Sequence, residues 1–166
     1  HGNRLTTGDI GNRYLFQTMA TNGLNELMYK MFNHEEAPGY GFQLKYGATT
    51  LTEQWDPRQG ASWNHFMLGQ IDEWFFASLA GIQIDPKQPG MKHLIIKPEP
   101  VGDLKFVKAS TKSVYGRISV EWKLEGKQFN LHLTIPQNTT ADVFLPGKSE
   151  PQTVKGGEFD LSCELK

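Results

Sequence analysis

The feature that most constrains this chain is a change in hydrophobic period part-way along it. Before Gly81 the apolar residues recur at helical spacing, and past Pro89 they alternate with period two. A 3.6-residue period buries one side of a helix and a two-residue period buries one face of a strand, so one chain carries two kinds of element in succession. At 166 residues there is room for one substantial domain or two small ones.

The helical part predicts three helices. The first runs over about 9–21, with Ile10, Tyr14, Leu15 and Met19 on one side, Thr7 or Asp9 as its cap, and Asn22-Gly23 as its stop. A short second helix over about 24–32 aligns Leu24, Leu27, Met28 and Met31 and ends before Pro38-Gly39-Tyr40-Gly41. The third, over about 63–80, has Ser62 as candidate cap and Gly81 as terminator. Its Trp63, Phe66, Met67, Ile71, Trp74, Phe75 and Leu79 cover so much of the circumference that it is expected to be largely buried. Two short companions are too few to bury it. Further helices are therefore expected upstream in a longer parent, consistent with a chain that starts at His1 and runs straight into a helical pattern.

Residues 85–91, with Asp85-Pro86 and Pro89-Gly90, have the turn chemistry of a boundary. The expected organisation is a helical part over 1–84, a linker over 85–91 and a β domain over 92–166. In the β part Ile118, Val120, Trp122 and Leu124 alternate with polar residues, as do Phe129, Leu131, Leu133 and Ile135 across the Glu125-Gly126-Lys127 turn. This predicts a hairpin with one wet face. Shorter strands over 94–96, 104–109, 141–145 and 159–165 complete a pattern that suits an antiparallel β-sandwich. The fold class expected is thus α+β and multidomain. No internal repeat of solenoid or propeller length is present.

Seventeen basic against eighteen acidic residues give no single-signed field, which argues against nucleic acid or an anionic membrane as partner. No stretch stays apolar for the roughly 20 residues a membrane helix needs, and the basic-plus-apolar head of a secretion signal is missing, so the chain as given is expected to be soluble. Cys163, the single cysteine, reads as a small buried apolar residue.

The chemistry is concentrated between the second and third helices. Glu53, Trp55 and Asp56, followed by Trp63, Asn64 and His65, put carboxylates, indoles, an amide and an imidazole into one connection. Sugars are bound by this mixture: flat rings stack on pyranose C–H faces, planar polar groups read hydroxyls, and a carboxylate can activate water. Each residue also has a plainer reading, Glu53 as a solvated loop carboxylate, Trp55 and Trp63 as core, His65 as a satisfied polar group, and Asp9 and Asp56 as caps.

The run Gly47-Ala48-Thr49-Thr50-Leu51-Thr52-Glu53-Gln54-Trp55-Asp56, then Ser62-Trp63-Asn64-His65-Phe66 with Gly69 and Trp74, resembles the end of the catalytic domain of bacterial α-L-rhamnosidases. The likeness continues in order through Leu79-Ala80-Gly81-Ile82, Lys97-Pro98, Tyr115-Gly116, Ile118, Trp122 and Ile135 to Ala141. It implies the closing helices of an (α/α)6 toroid over 1 to about 82, followed by a C-terminal β-sandwich. The activity implied is removal of terminal α-linked L-rhamnose with inversion, without cofactor or metal. On this sequence Glu53 matches the general base and His65 a histidine of the rhamnose pocket, with Trp55 and Asn64 in the same motifs. The partner acid has no counterpart here, so the chain alone is expected to be inactive and to need the upstream part of the catalytic domain. A parent that degrades polysaccharide would act in the periplasm or outside the cell. Thr52 departs from the resemblance, since the family often has Trp before the base. Asn138-Thr139-Thr140 matches a glycosylation sequon but reads as structural. The other function class to weigh is a noncatalytic carbohydrate-binding or interaction module.

Overall fold

The structure, a computed structural model, describes residues 2–60 and 62–165 and divides the chain into two compact units, one ending at Trp74 and one beginning at Phe75. The first unit contains α1 (Asp9–Thr21), α2 (Asn25–Phe32), α3 (Tyr40–Lys45) and α4 (Ile71–Trp74), with 3-10 turns at Pro57–Gln59 and Phe66–Leu68.

Helix α1 occupies the expected residues, but Gly8 sits at its N-cap, and the Thr7 hydroxyl donates to the side-chain carbonyl of Asn12 instead of capping. The side chain of Asp9 lies outside the described residues. The buried face is also a correction. Phe16 and Met19 are buried, whereas Ile10 and Tyr14 are exposed. Apolar residues lie on more than one side of this helix, and the partner decides which side packs: Phe16 meets Phe32 of α2 edge-to-face at 4.8 Å. Phe32 in turn meets Tyr40 at 5.6 Å and Trp74 at 5.0 Å, and the Trp74 indole donates to the Asn25 side-chain carbonyl at 2.6 Å. This aromatic web is the core of the first unit.

The single helix expected over 63–80 is broken. Residues 62–65 are spent on another pairing, since Glu53 N–H donates to the Ser62 carbonyl at 2.9 Å and His65 N–H to the Leu51 carbonyl at 2.9 Å. The cap is His65, not Ser62: its backbone is extended and its Nδ1 accepts from Met67 N–H at 3.2 Å. Nor is the apolar girdle buried all round. Ile71, Trp74 and Leu79 are buried, while Trp63, Phe66, Phe75 and Phe76 are exposed, Phe66 to 84 %.

The second unit opens with a single π turn at Phe75–Leu79, ended as expected by Gly81, which takes a φ of +77°. Six strands follow: β1 (Ile82–Ile84), β2 (His93–Ile96), β3 (Phe106–Ser113), β4 (Gly116–Glu125), β5 (Gln128–Val143) and β6 (Gln152–Glu164). They form one sheet in the order β1-β2-β5-β4-β3, with β6 also paired to β5. The expected hairpin is β4–β5, pairing Val120 with Leu133 and Trp122 with Leu131 across the Gly126 turn. The turn chemistry over 85–91 closes the β1–β2 hairpin, in which Ile82 pairs with Ile96 and Ile84 with Leu94.

Two features distinguish this sheet from a simple antiparallel pattern. The strands expected over 129–135 and 141–145 are one 16-residue strand, β5, interrupted by a bulge between Ile135 and Thr140. There Asn138 is left-handed at φ +63° and the buried Thr139 hydroxyl donates to the Pro136 carbonyl. The bulge lets the first half of β5 pair antiparallel with β4 and the second half pair parallel with β2, so the sheet curls around its own core. Ile118, Val120, Trp122, Phe129, Leu131 and Leu133 fill that core, and the Trp122 indole donates to the Leu79 carbonyl at 2.7 Å. Cys163 is a free, buried thiol, which burial pushes up from its ordinary value.

Candidate active site

The loop following α3 is shaped by the pairing of residues 51–53 with 62–65. Of the two adjacent residues, Thr52 is buried and Glu53 exposed. Thr52 is 1 % exposed; its hydroxyl donates to the Gln54 carbonyl at 2.6 Å and accepts from Gln43 Nε2 at 2.7 Å. Glu53 is exposed, and one carboxylate oxygen, Oε2, accepts from Ser62 N–H at 3.1 Å. That bond aims the carboxylate, and among the described residues no hydrogen bond is made to Oε1.

Glu53 lines a hollow of about 640 Å³, walled also by Trp55, Asp56, Gln54, Gln59 and Met67. The volume and the mixed lining suit a small polar ligand with one apolar flank. Trp55 is half-buried, edge-on to Tyr40 at 5.0 Å, with its indole N–H directed to the Thr7 carbonyl at 3.5 Å. Tyr40 donates its hydroxyl to the Leu68 carbonyl, and burial, reinforced by the Asp72 charge, pushes its phenol far up, so it stays neutral.

Asp56 caps the 57–59 turn by accepting from Arg58 N–H at 3.0 Å and holds the Arg58 guanidinium through Nε and Nη2, both at 2.9 Å. The guanidinium lies 4.1 Å from the Tyr46 ring centre. Hydrogen bonds from the Arg58 side chain, then from its backbone N–H, bring the Asp56 carboxyl from its ordinary 3.8 down to about 2. Because the folded value is lowered, whatever this pair adds to stability is present above pH 4 or so and is lost as pH falls toward 2. A carboxyl-carbon NMR titration is expected to give Asp56 a midpoint near 2, and Arg58→Gln to return it toward 3.8. A wild-type midpoint near the ordinary value would contradict the pairing.

His65 and Asn64 stand outside the lining of this hollow, although the His65 backbone is tied to Leu51, two residues from the carboxylate. The imidazole stacks on Phe66 at 5.4 Å. Since Nδ1 accepts from Met67, the neutral ring carries its hydrogen on Nε2 and presents a donor. Asn64 is exposed, and its N–H donates to the Ser62 hydroxyl at 3.3 Å. The sequence reading missed Gln43 and Thr52 as a buried pair and Arg58 as the partner of Asp56. Only the Asp-Pro-Arg spacing of the latter gave a signal, through its turn chemistry.

A second hollow of about 460 Å³ lies on the wet face of the sheet, beside a row in which Lys108 meets Glu121 at 2.9 Å and His132 meets Asp160 at 2.8 Å. Its charges satisfy one another across neighbouring strands, the arrangement of a solvated sheet face. Among the described residues no three His, Cys, Asp or Glu side chains are grouped to hold a metal, and no helix is long and apolar enough to cross a membrane.

Comparison with known proteins decides the family. The profile of the bacterial alpha-L-rhamnosidase 6 hairpin glycosidase domain matches residues 1–79, and that of the bacterial alpha-L-rhamnosidase C-terminal domain matches residues 81–160. The chain belongs to the bacterial α-L-rhamnosidase family. Among curated family members, an alpha-L-rhamnosidase of Formosa agariphila is 31% identical over 174 residues, covering 99% of this chain and 19% of its own length. The α-L-rhamnosidase structure from Dictyoglumus thermophilum superposes with a TM-score of 0.89 at 27% identity, over 99% of this chain and 22% of that one. The Streptomyces avermitilis α-L-rhamnosidase complexed with L-rhamnose gives 0.86 at 25%, over 98% and 18%. The chain thus spans about a fifth of the length of these α-L-rhamnosidases, and both the helical segment and the curled sheet have counterparts in them.

Proposed function

We propose that this chain is the C-terminal portion of an inverting glycoside hydrolase that removes terminal α-linked L-rhamnose, with Glu53 as general base. The observation that carries the reading is the position of Glu53, an exposed carboxylate at the edge of a sugar-sized hollow with one oxygen fixed by Ser62 N–H. Membership of the α-L-rhamnosidase family supports the choice of reaction.

In this mechanism Glu53 takes a proton from a water as its oxygen attacks the anomeric carbon. The C–O bond to the leaving group breaks on the opposite face, and an acid from the upstream part of the catalytic domain protonates the departing oxygen. Room for the water requires the two carboxyl groups to be roughly 6.5–9.5 Å apart. Trp55 supplies an apolar wall for the sugar's C–H face, and the Nε2–H of His65 and the amide of Asn64 read hydroxyls once the upstream helices complete the pocket. The substrate class is a rhamnose-containing glycoside or polysaccharide, and a parent acting on polysaccharide works in the periplasm or outside the cell.

The stereochemistry tests this reading. Proton NMR of the full-length protein acting on an aryl α-L-rhamnoside is expected to show β-L-rhamnose first, with the α anomer growing in only by mutarotation. Initial release of the α anomer would overturn the inverting assignment.

A further inference from the structure

We propose that the buried Gln43–Thr52 clasp is a positioning element for the Glu53 carboxylate, a proposal that rests on reading Glu53 as the general base. Gln43 projects from α3 and is 4 % exposed; Thr52 immediately precedes Glu53 and is 1 % exposed. Gln43 Nε2 donates both to Thr52 Oγ1 at 2.7 Å and to the Gln54 carbonyl at 3.2 Å, and Thr52 Oγ1 donates to that same carbonyl at 2.6 Å. The residues on either side of Glu53 are therefore locked to one helix by three hydrogen bonds closed among themselves. On the outer side Glu53 is held by the Ser62 carbonyl at its N–H and by Ser62 N–H at Oε2. The carboxylate stands between two fixed supports, one buried and one exposed.

The physical consequence follows from the geometry that water activation needs. A base works when it lies within hydrogen-bond reach of the proton it takes, and a displacement of about 1 Å can cost about a hundredfold in rate. Two buried side chains bonded to each other and to one backbone carbonyl have little access to water to replace a lost partner, so removing either releases the backbone flanking Glu53. Thr52 occupies a position where the resemblance leads one to expect tryptophan, and the clasp assigns it a polar task that an indole at that position would have to meet differently.

The test uses the full-length protein and an aryl α-L-rhamnoside. Thr52→Val keeps the volume and removes the hydroxyl; Thr52→Ser keeps the hydroxyl. The valine variant is expected to lower kcat by about tenfold or more with KM within about twofold, and the serine variant to recover most of the loss. On a Glu53→Gln background Thr52→Val is expected to cause almost no further loss, because the clasp acts only through the carboxylate. Should Thr52→Val fail to fold, Gln43→Met, which removes the amide donor while keeping the length, carries the same expectations. An unchanged kcat, equal losses in valine and serine, full additivity with Glu53→Gln, or failure of both variants to fold would each overturn the proposal. The underlying reading fails separately: Glu53→Gln alone leaving turnover within about tenfold of wild type would remove the base whatever the clasp does.

Discussion

Alanine at position 81 is expected to lower the melting temperature of the full-length protein's β-rich unit by about 15 °C or more, or to prevent its folding. Gly81 has a φ of +77°, where an L side chain costs roughly 1–2 kcal/mol. The larger penalty is steric. A Cβ there would lie 2.2 Å from both the Lys97 carbonyl carbon and the Pro98 nitrogen, and these are backbone atoms that cannot rotate away. Nor can the backbone retreat, because Lys97 N–H donates to the Gly81 carbonyl at 2.8 Å and the next residue, Ile82, is in register with Ile96. Together these place the substitution in the range of about 4 kcal/mol, at about 4–8 °C per kcal/mol for a unit of fewer than about 100 residues. Gly126→Ala is the control. Gly126 has a similar φ of +62° with nothing within 4 Å, so only the backbone cost of about 1 kcal/mol applies. Calorimetry in which the two variants melt within about 2 °C of each other would contradict the steric account.

How much of this was legible in the sequence depends on the range of the interaction that decides each element. The hairpin β4–β5 was legible because strict alternation and the Gly126 turn are local, and α1 and α2 were legible from period and stop signals. The packed face of α1 was not, because Ile10 and the ring of Tyr14 offer an alternative apolar side to Phe16 and the placement of Phe32 chooses between them. The break in the expected third helix arises from residues 51–53 capturing the backbone of 62–65, a pairing with no local trace. The alternation over 129–135 and the strand over 141–145 read as separate, whereas the buried Thr139 hydroxyl and left-handed Asn138 carry β5 through the kink between them. The parallel pairing of β2 with β5 joins residues over forty positions apart and was invisible for the same reason.

At the candidate site, residue types and the family resemblance singled out Glu53 and Trp55, and both line the hollow. His65 was marked for its imidazole, and its Nδ1 caps the Phe66–Leu68 turn. Gln43 and Thr52 went unnoticed because each is an ordinary polar residue and only folding brings them to 2.7 Å. Buried polar groups of this kind are recognised by their satisfied partners, which sequence does not display.

The largest effect on activity is expected from Glu53. Replacing its carboxylate by an amide keeps the shape and the acceptor for Ser62 N–H, which is bonded at 3.1 Å, but removes the ability to take a proton from water. The fold should be untouched, because Glu53 is exposed and its side chain packs nothing in the core. A general base supplies about 10²–10⁴-fold, so kcat should fall by that factor, about 3–5 kcal/mol of barrier, while affinity for L-rhamnose stays within a few fold. The decisive measurement is kcat of Glu53→Gln in the full-length protein on an aryl α-L-rhamnoside. A loss of about a hundredfold or more with an unchanged melting temperature is the expected result, and turnover within about tenfold of wild type would contradict the assignment of this carboxylate as the base.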